Sequence, residues 1–418
     1  MSIALPVQID YEKGANSLPP NSKSMDVVIR ASNGNTFGPN ATIAFDLNTT
    51  GFLDPASLFL RYRYTFVDPS GAELLGTPVY TPFSRLAVFA GSTQLESISN
   101  YNQVANMITN LGLSVSEKYG LQSAYGFFNS TSIPNLEQLD GRTLTVNETG
   151  SFAGPLHCML SNSDKYLPLF GMPQLRVELT VDALSAMFKT NVTAAPTGLT
   201  LADCELCYRQ IDMGAEIEAM VRQSGMTHIK SHSFMNSSSL LGSGAVGQVS
   251  LVYNTRLASI KSLFLLPTNS TSDSCGKFDA VDITKSNGQY FFNVAGVQYP
   301  QTPYSTSQNK AGILMSLRQA VGSIFDRTNS LSINSVEFNR IDGDATTLTA
   351  PGKFIPAVDT EIVDSSYILS GISSANSAIT CSIQLGSATT DAHNIALVIA
   401  YDAIIEVDFV QNQVTVKM

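Results

Sequence analysis

The stretch Arg85–Gly112, RLAVFAGSTQLESISNYNQVANMITNLG, decides how the rest of the chain is read. An apolar strand passes through a Gly turn into a short second strand, and a helix follows. Val104, Met107, Ile108 and Leu111 fall at i, i+3, i+4 and i+7, one face of a 3.6-residue period. Asn102 is the expected N-cap and Gly112 the expected stop. The same grammar returns once, in FFNVAGVQYPQTPYSTSQNKAGILMSLRQAVG from Phe291 to Gly322, with an apolar stripe of Ile313, Leu314, Leu317, Val321 and Ile324. Ala90-Gly91 and Ala295-Gly296 lie 205 residues apart, close to half of the 418-residue chain. A β-rich chain with one isolated helix at matching places in its two halves points to a duplicated domain.

Around these two units the chain reads as short strands. Ser57–Val67 (SLFLRYRYTFV) puts Leu58, Leu60, Tyr62, Tyr64 and Phe66 on one face and Phe59, Arg61, Arg63 and Thr65 on the other, a half-buried strand. Further strands are expected at Met25–Ala31, Thr42–Leu47, Phe152–Leu160, Leu175–Val181 and Cys204–Ile211. In the second half they are expected at His228–Phe234, Gln248–Tyr253, Ile260–Leu266, Gln289–Val294, Ser332–Arg340, Ala378–Gln384, Ala396–Tyr401 and Ala403–Phe409. Met213–Gly225 has helical composition. With no βα alternation, the pattern predicts an all-β fold of two tandem jelly-roll sandwiches, each with one short helix in a long loop. The expected division is an arm at 1–24, a first jelly roll at 25–212, a linker at 213–227 and a second jelly roll at 228–418.

Composition narrows the function classes. Only 14% of residues are charged while 44% are hydrophobic, which suggests large surfaces covered by neighbouring subunits. The net charge is −10, and Lys13, Lys23 and Arg30 near the start are balanced by Asp10, Glu12 and Asp26. Neutralising phosphates needs clustered cations, so no direct nucleic-acid binding is expected. The first residues lack the pattern of a signal peptide and no apolar run is long enough to span a bilayer, so a soluble protein is expected.

No pattern carries catalysis. Cys204 and Cys207 form a C-x-x-C, but a zinc site needs a second ligand pair, and three positions along a strand put the side chains on opposite faces. Buried free thiols are the better reading of all five cysteines, and they fit assembly in cytosol or nucleus. His157, His228, His232 and His393 are scattered and read as solvated or singly bonded. GSGAVGQ at Gly242–Gln248 lacks the P-loop ending, and Asp359, Glu361 and Asp364 lack calcium-loop spacing. No catalytic, cofactor-binding or metal-binding residue and no cofactor is expected; the chain reads as a structural protein, not an enzyme.

These residues resemble the double jelly-roll major capsid proteins of tailless icosahedral DNA viruses, in particular the group of polinton-like viruses and virophages. The likeness rests on VFAGSTQLESISNYNQVANMI, on NGQYFFNVAGVQYPQTPYSTSQNKAGILMSLRQAVG with Tyr299-Pro300 ahead of a helix, and on the ending IALVIAYDAIIEVDFVQNQVTV. The resemblance implies a homotrimer of pseudo-hexagonal outline that tiles icosahedral facets within the virion. It also implies contacts with neighbouring capsomers, a separate penton protein, minor capsid proteins and, where one exists, an internal membrane. Two alternatives stand beside it. A shell-plus-protrusion capsid protein of a small RNA virus should not repeat its helix at half-length, and many carry a basic arm. A carbohydrate-binding β-sandwich protein would be expected to cluster carboxylates or exposed aromatics, and the chain has no Trp.

Overall fold

A computed structural model of the chain describes residues 22–67, 72–74, 76–127, 142–143, 148–190, 197–269, 278–324, 331–343, 352–362 and 369–418. The first half is built from β1 (Lys23–Arg30), β2 (Thr42–Asp46), β3 (Phe59–Val67), β4 (Phe83–Ala90), β5 (Thr93–Ser99), α1 (Tyr101–Gly112), β6 (Thr149–Pro155), β7 (Leu175–Val181) and β8 (Gly198–Asp212). One sheet has the order β6-β3-β8-β1, and the other has the order β2-β7-β4-β5, every pair antiparallel. After α2 (Ala215–Gln223) the second half follows with β9 (Met226–Leu241), β10 (Gly247–Tyr253), β11 (Ile260–Asn269), β12 (Gly288–Val294), β13 (Val297–Ser305), α3 (Lys310–Gly322), β14 (Ala357–Asp359), β15 (Ile379–Leu385) and β16 (His393–Asp408). Its sheets run β14-β11-β16-β9 and β10-β15-β12-β13, with a final strand β17 (Gln413–Lys417) on β16. Adding eight to each of these strand numbers of the first half gives the second; the short strands Thr36–Phe37, Phe52–Leu53, Ala72–Leu74, Arg142–Thr143, Leu167–Pro168 and Phe188–Thr190 of the first half stand outside this correspondence. The helix occupies the same place in both, after the fifth strand of its half.

Local chemistry accounts for these elements. In β3 the exposed and buried positions alternate without exception, and Leu60, Tyr62, Tyr64 and Phe66 enter the core. The outward Arg61 and Arg63 pair across to Glu205 at 2.6 Å and Asp203 at 3.2 Å on β8, exposed pairs that add little. β16 is central, with both faces covered, so Ile395–Tyr401 is buried at every position. Buried apolar side chains of both halves form one continuous cluster. Among the described residues no helix is long and apolar enough to cross a membrane.

Several local expectations are corrected. Asn102 lies inside α1, which starts at Tyr101 after a left-handed Asn100; the Asn102 amide donates to the Thr81 carbonyl and to Asp182 instead of capping. The two strands read on either side of Asp402 are one strand. Asp402 is fully buried, and its Oδ2 accepts from Ser259 Oγ at 2.7 Å and from the Ser370 amide at 2.8 Å while Lys230 Nζ stands 3.9 Å from Oδ1, so the ladder continues past a carboxylate held by distant segments. Ser332–Arg340 is no strand; Ser335–Phe338 turns as a helix under an Asn334/Glu337 capping box. The strand read at Phe152–Leu160 ends at Pro155. His393 is fully buried against Asp342 at 3.1 Å, not solvated. Of the arm read at 1–24, all but Ser22, Lys23 and Ser24 lies outside the described residues, and Lys23 and Ser24 already belong to β1.

α3 rests on its own half through Ile313, Leu317, Ala320 and Val321, all buried. Leu317→Ala removes a wholly enclosed side chain and is expected to lower unfolding free energy by about 2–5 kcal/mol. Urea unfolding of the variant beside the parent checks this; superimposable curves would refute it.

Candidate functional site at the junction of the two halves

A set of polar bonds joins the first half to the second. Glu96, on edge strand β5, is buried. Its carboxylate accepts from Ser233 Oγ on β9 and, at 2.9 Å, from the Met159 amide. The residues of β9 run along the segment that follows β6. Ser231 Oγ donates to the Met159 carbonyl at 2.6 Å, the Asp164 amide to the Lys230 carbonyl at 3.0 Å, and the Asn162 amide group to the His232 carbonyl at 3.1 Å. Further along, Asn236 donates to the Ser99 carbonyl at the end of β5.

α1 supplies the second part of the junction. Every residue from Tyr101 to Leu111 is buried. Val104 and Ile108 belong to the core cluster, while Gln103, Met107 and Asn110 line a crevice closed by Leu266, Lys353 and Ile355 of the second half. Met107, on the apolar stripe, belongs to the core cluster and also lines this crevice. Ser332 Oγ donates to the Asn110 carbonyl at 2.8 Å.

The third part is an aromatic clamp. The Phe170 ring lies nearly parallel to Phe409 at 6.1 Å and edge-on to Phe52 at 5.1 Å. Arg222, on α2, places its guanidinium 5.2 Å from the Phe170 ring and donates to the Phe170 carbonyl at 2.7 Å. Gly171 allows this approach, since a Cβ there would stand 2.1 Å from the Phe409 ring.

Burial sets the electrostatics. Loss of hydration pushes the Glu96 carboxyl up to about 7, against the bonds from Ser233 and Met159 that pull it down. It holds His157 and His232, both close to the junction, down at about 4. No other expected ligand forms a cluster. Cys158, Cys204, Cys207 and Cys381 are free and buried, and burial raises the Cys204 thiol to about 12. Cys275 and Asp364 lie outside the described residues. His228 pairs with Glu406 at 2.9 Å on the surface, and Glu361 pairs with Lys261 at 3.5 Å. Among the described residues no three His, Cys, Asp or Glu side chains are grouped to hold a metal ion.

The sequence reading did not single out Glu96, Ser233, Asn162 or Phe170. One signal was available: α1 carries no charged residue in twelve positions, and a helix without a charged face has no side to give to water.

Solved structures share this architecture from end to end. VP54 of PBCV-1, in a crystal structure fitted into a cryo-EM reconstruction of the virophage Sputnik, matches at TM-score 0.64 and 9% identity, over 93% of this chain and 95% of that one. The Faustovirus major capsid protein matches at 0.61 and 9% identity, over 96% of this chain and 94% of its own. The mavirus major capsid protein matches at 0.53 and 9% identity, over 100% and 95%. No family model and no curated protein sequence matches the chain. The fold is therefore the double jelly roll of viral major capsid proteins, as the sequence resemblance implied.

The junction makes a pH prediction. Folded Glu96 keeps its proton to about pH 7, while the unfolded side chain loses it near 4.5, so its contribution to stability falls as pH rises through that window. His157 and His232 act in the opposite sense, since unfolded they take up protons near 6.5 that the folded protein refuses. Glu96→Gln removes only the first effect. Its stability relative to the parent is expected to rise by up to about 3 kcal/mol from about pH 4.5 to about pH 7. Urea melts across that range give the difference, and one that stays constant with pH would contradict the assignment.

Proposed function

We propose that this chain is a major capsid protein, the structural and non-catalytic subunit that forms the shell of an icosahedral DNA virus. The observation that carries the reading is the duplicated strand order, matched over more than nine-tenths of both chains by structures of that class. In this reading the expected jelly rolls at 25–212 and 228–418, extended back to Lys23 by β1 and to Met226 by β9, stand upright, and the residues ahead of β1 are an arm on the inner side. Three subunits close into a trimer whose six jelly rolls give a pseudo-hexagonal outline suited to flat facets. Its partners are further copies of itself, neighbouring capsomers, a separate penton protein, minor capsid proteins and an internal membrane where the virion has one. It resides in the virion after assembly in host cytoplasm or nucleus.

The low charge content and the net charge of −10 favour protein partners over nucleic acid. A shell-plus-protrusion subunit is disfavoured because the second half repeats the order of the eight longer strands of the first.

Native mass spectrometry of the purified chain tests the reading. A trimer, three times 44.8 kDa, is expected. A chain that stays monomeric or dimeric at every concentration, and under conditions that drive shell assembly, would count against it.

A further inference from the structure

In each half a short strand pairs, antiparallel, with the end of the last long strand. On β8 it is Phe52–Leu53, opposite Ile211 and Gln210; on β16 it is β17, opposite Ile404–Asp408. The next place in the sheet differs between the halves. In the first, Leu167–Pro168 pairs along the outer side of Phe52–Leu53, and Leu53 and Leu167 are wholly buried there. In the second, among the described residues, no strand pairs along the outer side of β17, and no backbone group of residues 413–418 is bonded beyond β16.

An edge of this kind leaves N–H and C=O groups to water and accepts an extended segment. Its apolar side is formed by Val414, which is buried, and Val416, which is partly buried, with Met418 two positions on and 41% exposed. Val410, in the turn that leads into β17, is 82% exposed.

The start of the chain carries a segment of matching pattern. Ile3, Leu5, Val7 and Ile9 alternate with Ser2, Ala4, Pro6 and Gln8, the two-residue period of a strand with one apolar face. Proline is tolerated in outermost strands, and Pro168 holds such a place in the first half. The segment is long enough to reach. β1 begins at Lys23 opposite Asp212, β9 begins at Met226 opposite Asp408, and α2 lies between Asp212 and Met226. The nine residues of α2 span about 14 Å, and residues 9–22 extend to about 46 Å.

We infer that Ile3–Val7 adds, antiparallel, to the open edge of β17 in its own chain, with Leu5 beside Val416 and Val7 beside Val414. Ile3 then covers Met418, and Ile9 reaches the turn at Val410. The apolar pattern sets this register, since a slip of one residue would turn Leu5 and Val7 to the side of the exposed Thr415 and Lys417. The segment ahead of the first half thereby completes a sheet of the second. The contact lies within one chain and does not depend on the capsomer reading.

Two experiments on the full-length chain test it. Facing residues of neighbouring strands stand within disulfide reach, so the Leu5→Cys/Val416→Cys variant is expected to close a disulfide within one chain on mild oxidation. Non-reducing electrophoresis should show no larger species, and peptide mapping should join positions 5 and 416. The control Leu5→Cys/Thr415→Cys, whose side chains leave opposite sides of the sheet in this register, should stay reduced. In the second experiment, Leu5→Asp/Val7→Asp is compared with the parent by amide hydrogen exchange. Residues 413–417 should exchange faster by on the order of tenfold, with β3 and β11 unchanged. A disulfide that joins two chains, equal yields from the two cysteine pairs, no disulfide in either, or unchanged exchange at 413–417 overturns the inference. None of these outcomes bears on whether the chain forms trimers, so the capsomer reading stands or falls separately.

Discussion

A helix can be buried on every residue only if protein lies on every side of it. α1 meets that condition from Tyr101 to Leu111; its own half covers much of it, with Thr77 bonded to Asn106, Thr81 and Asp182 to Asn102, and Lys118 to Asn110. The remaining side must come from elsewhere, and within this chain it comes from the second half. The rest of the architecture follows from this requirement. β9 must approach β5 closely enough for a serine hydroxyl to reach Glu96, and Gly171 must leave room for the Phe409 ring. The halves are therefore held in one arrangement by apolar burial, and the polar bonds across the junction select its register.

Much of this was legible in the residues, and the reasons are physical. The alternation of β3 is visible because one face meets water and the other meets the core, so Arg61 and Leu60 report opposite environments. The two helices were visible because each carries an apolar stripe at helical spacing within a β context. The strand β16 was cut in two at Asp402 because sequence patterns treat a carboxylate as a sign of solvent. One oxygen of this one is bonded by Ser259 and Ser370, residues 143 and 32 positions away. Glu96 was hidden for the same reason. A lone acid in a short strand has the look of a surface residue until a distant segment covers it.

The contrast between α1 and α3 shows how duplicated halves diverge. Both keep the inward stripe, Val104 and Ile108 in one and Ile313 and Leu317 in the other. They differ on the opposite side, where α1 is uncharged and rich in amides while α3 carries the exposed Arg318. Amides suit a face that is permanently enclosed, because each can be bonded without removing an ion from water. Charges suit a face that spends part of its existence in solvent.

The strand pairing also sets an order in time. In each half the last long strand pairs with the first: β8 along β1 from Asp212 to Glu205, and β16 along β9 over sixteen residues. Neither sandwich can close until its final strand has left the ribosome. The first half can close once residue 212 is out, but the cover for α1 arrives later, with Leu266, Ser332 and Ile355. For the interval between, the nascent chain displays the part of α1 around Gln103 and Met107 that lines the crevice. Two such chains on one message could dock the wrong halves together, so faithful synthesis depends on the second sandwich arriving before a neighbour's does.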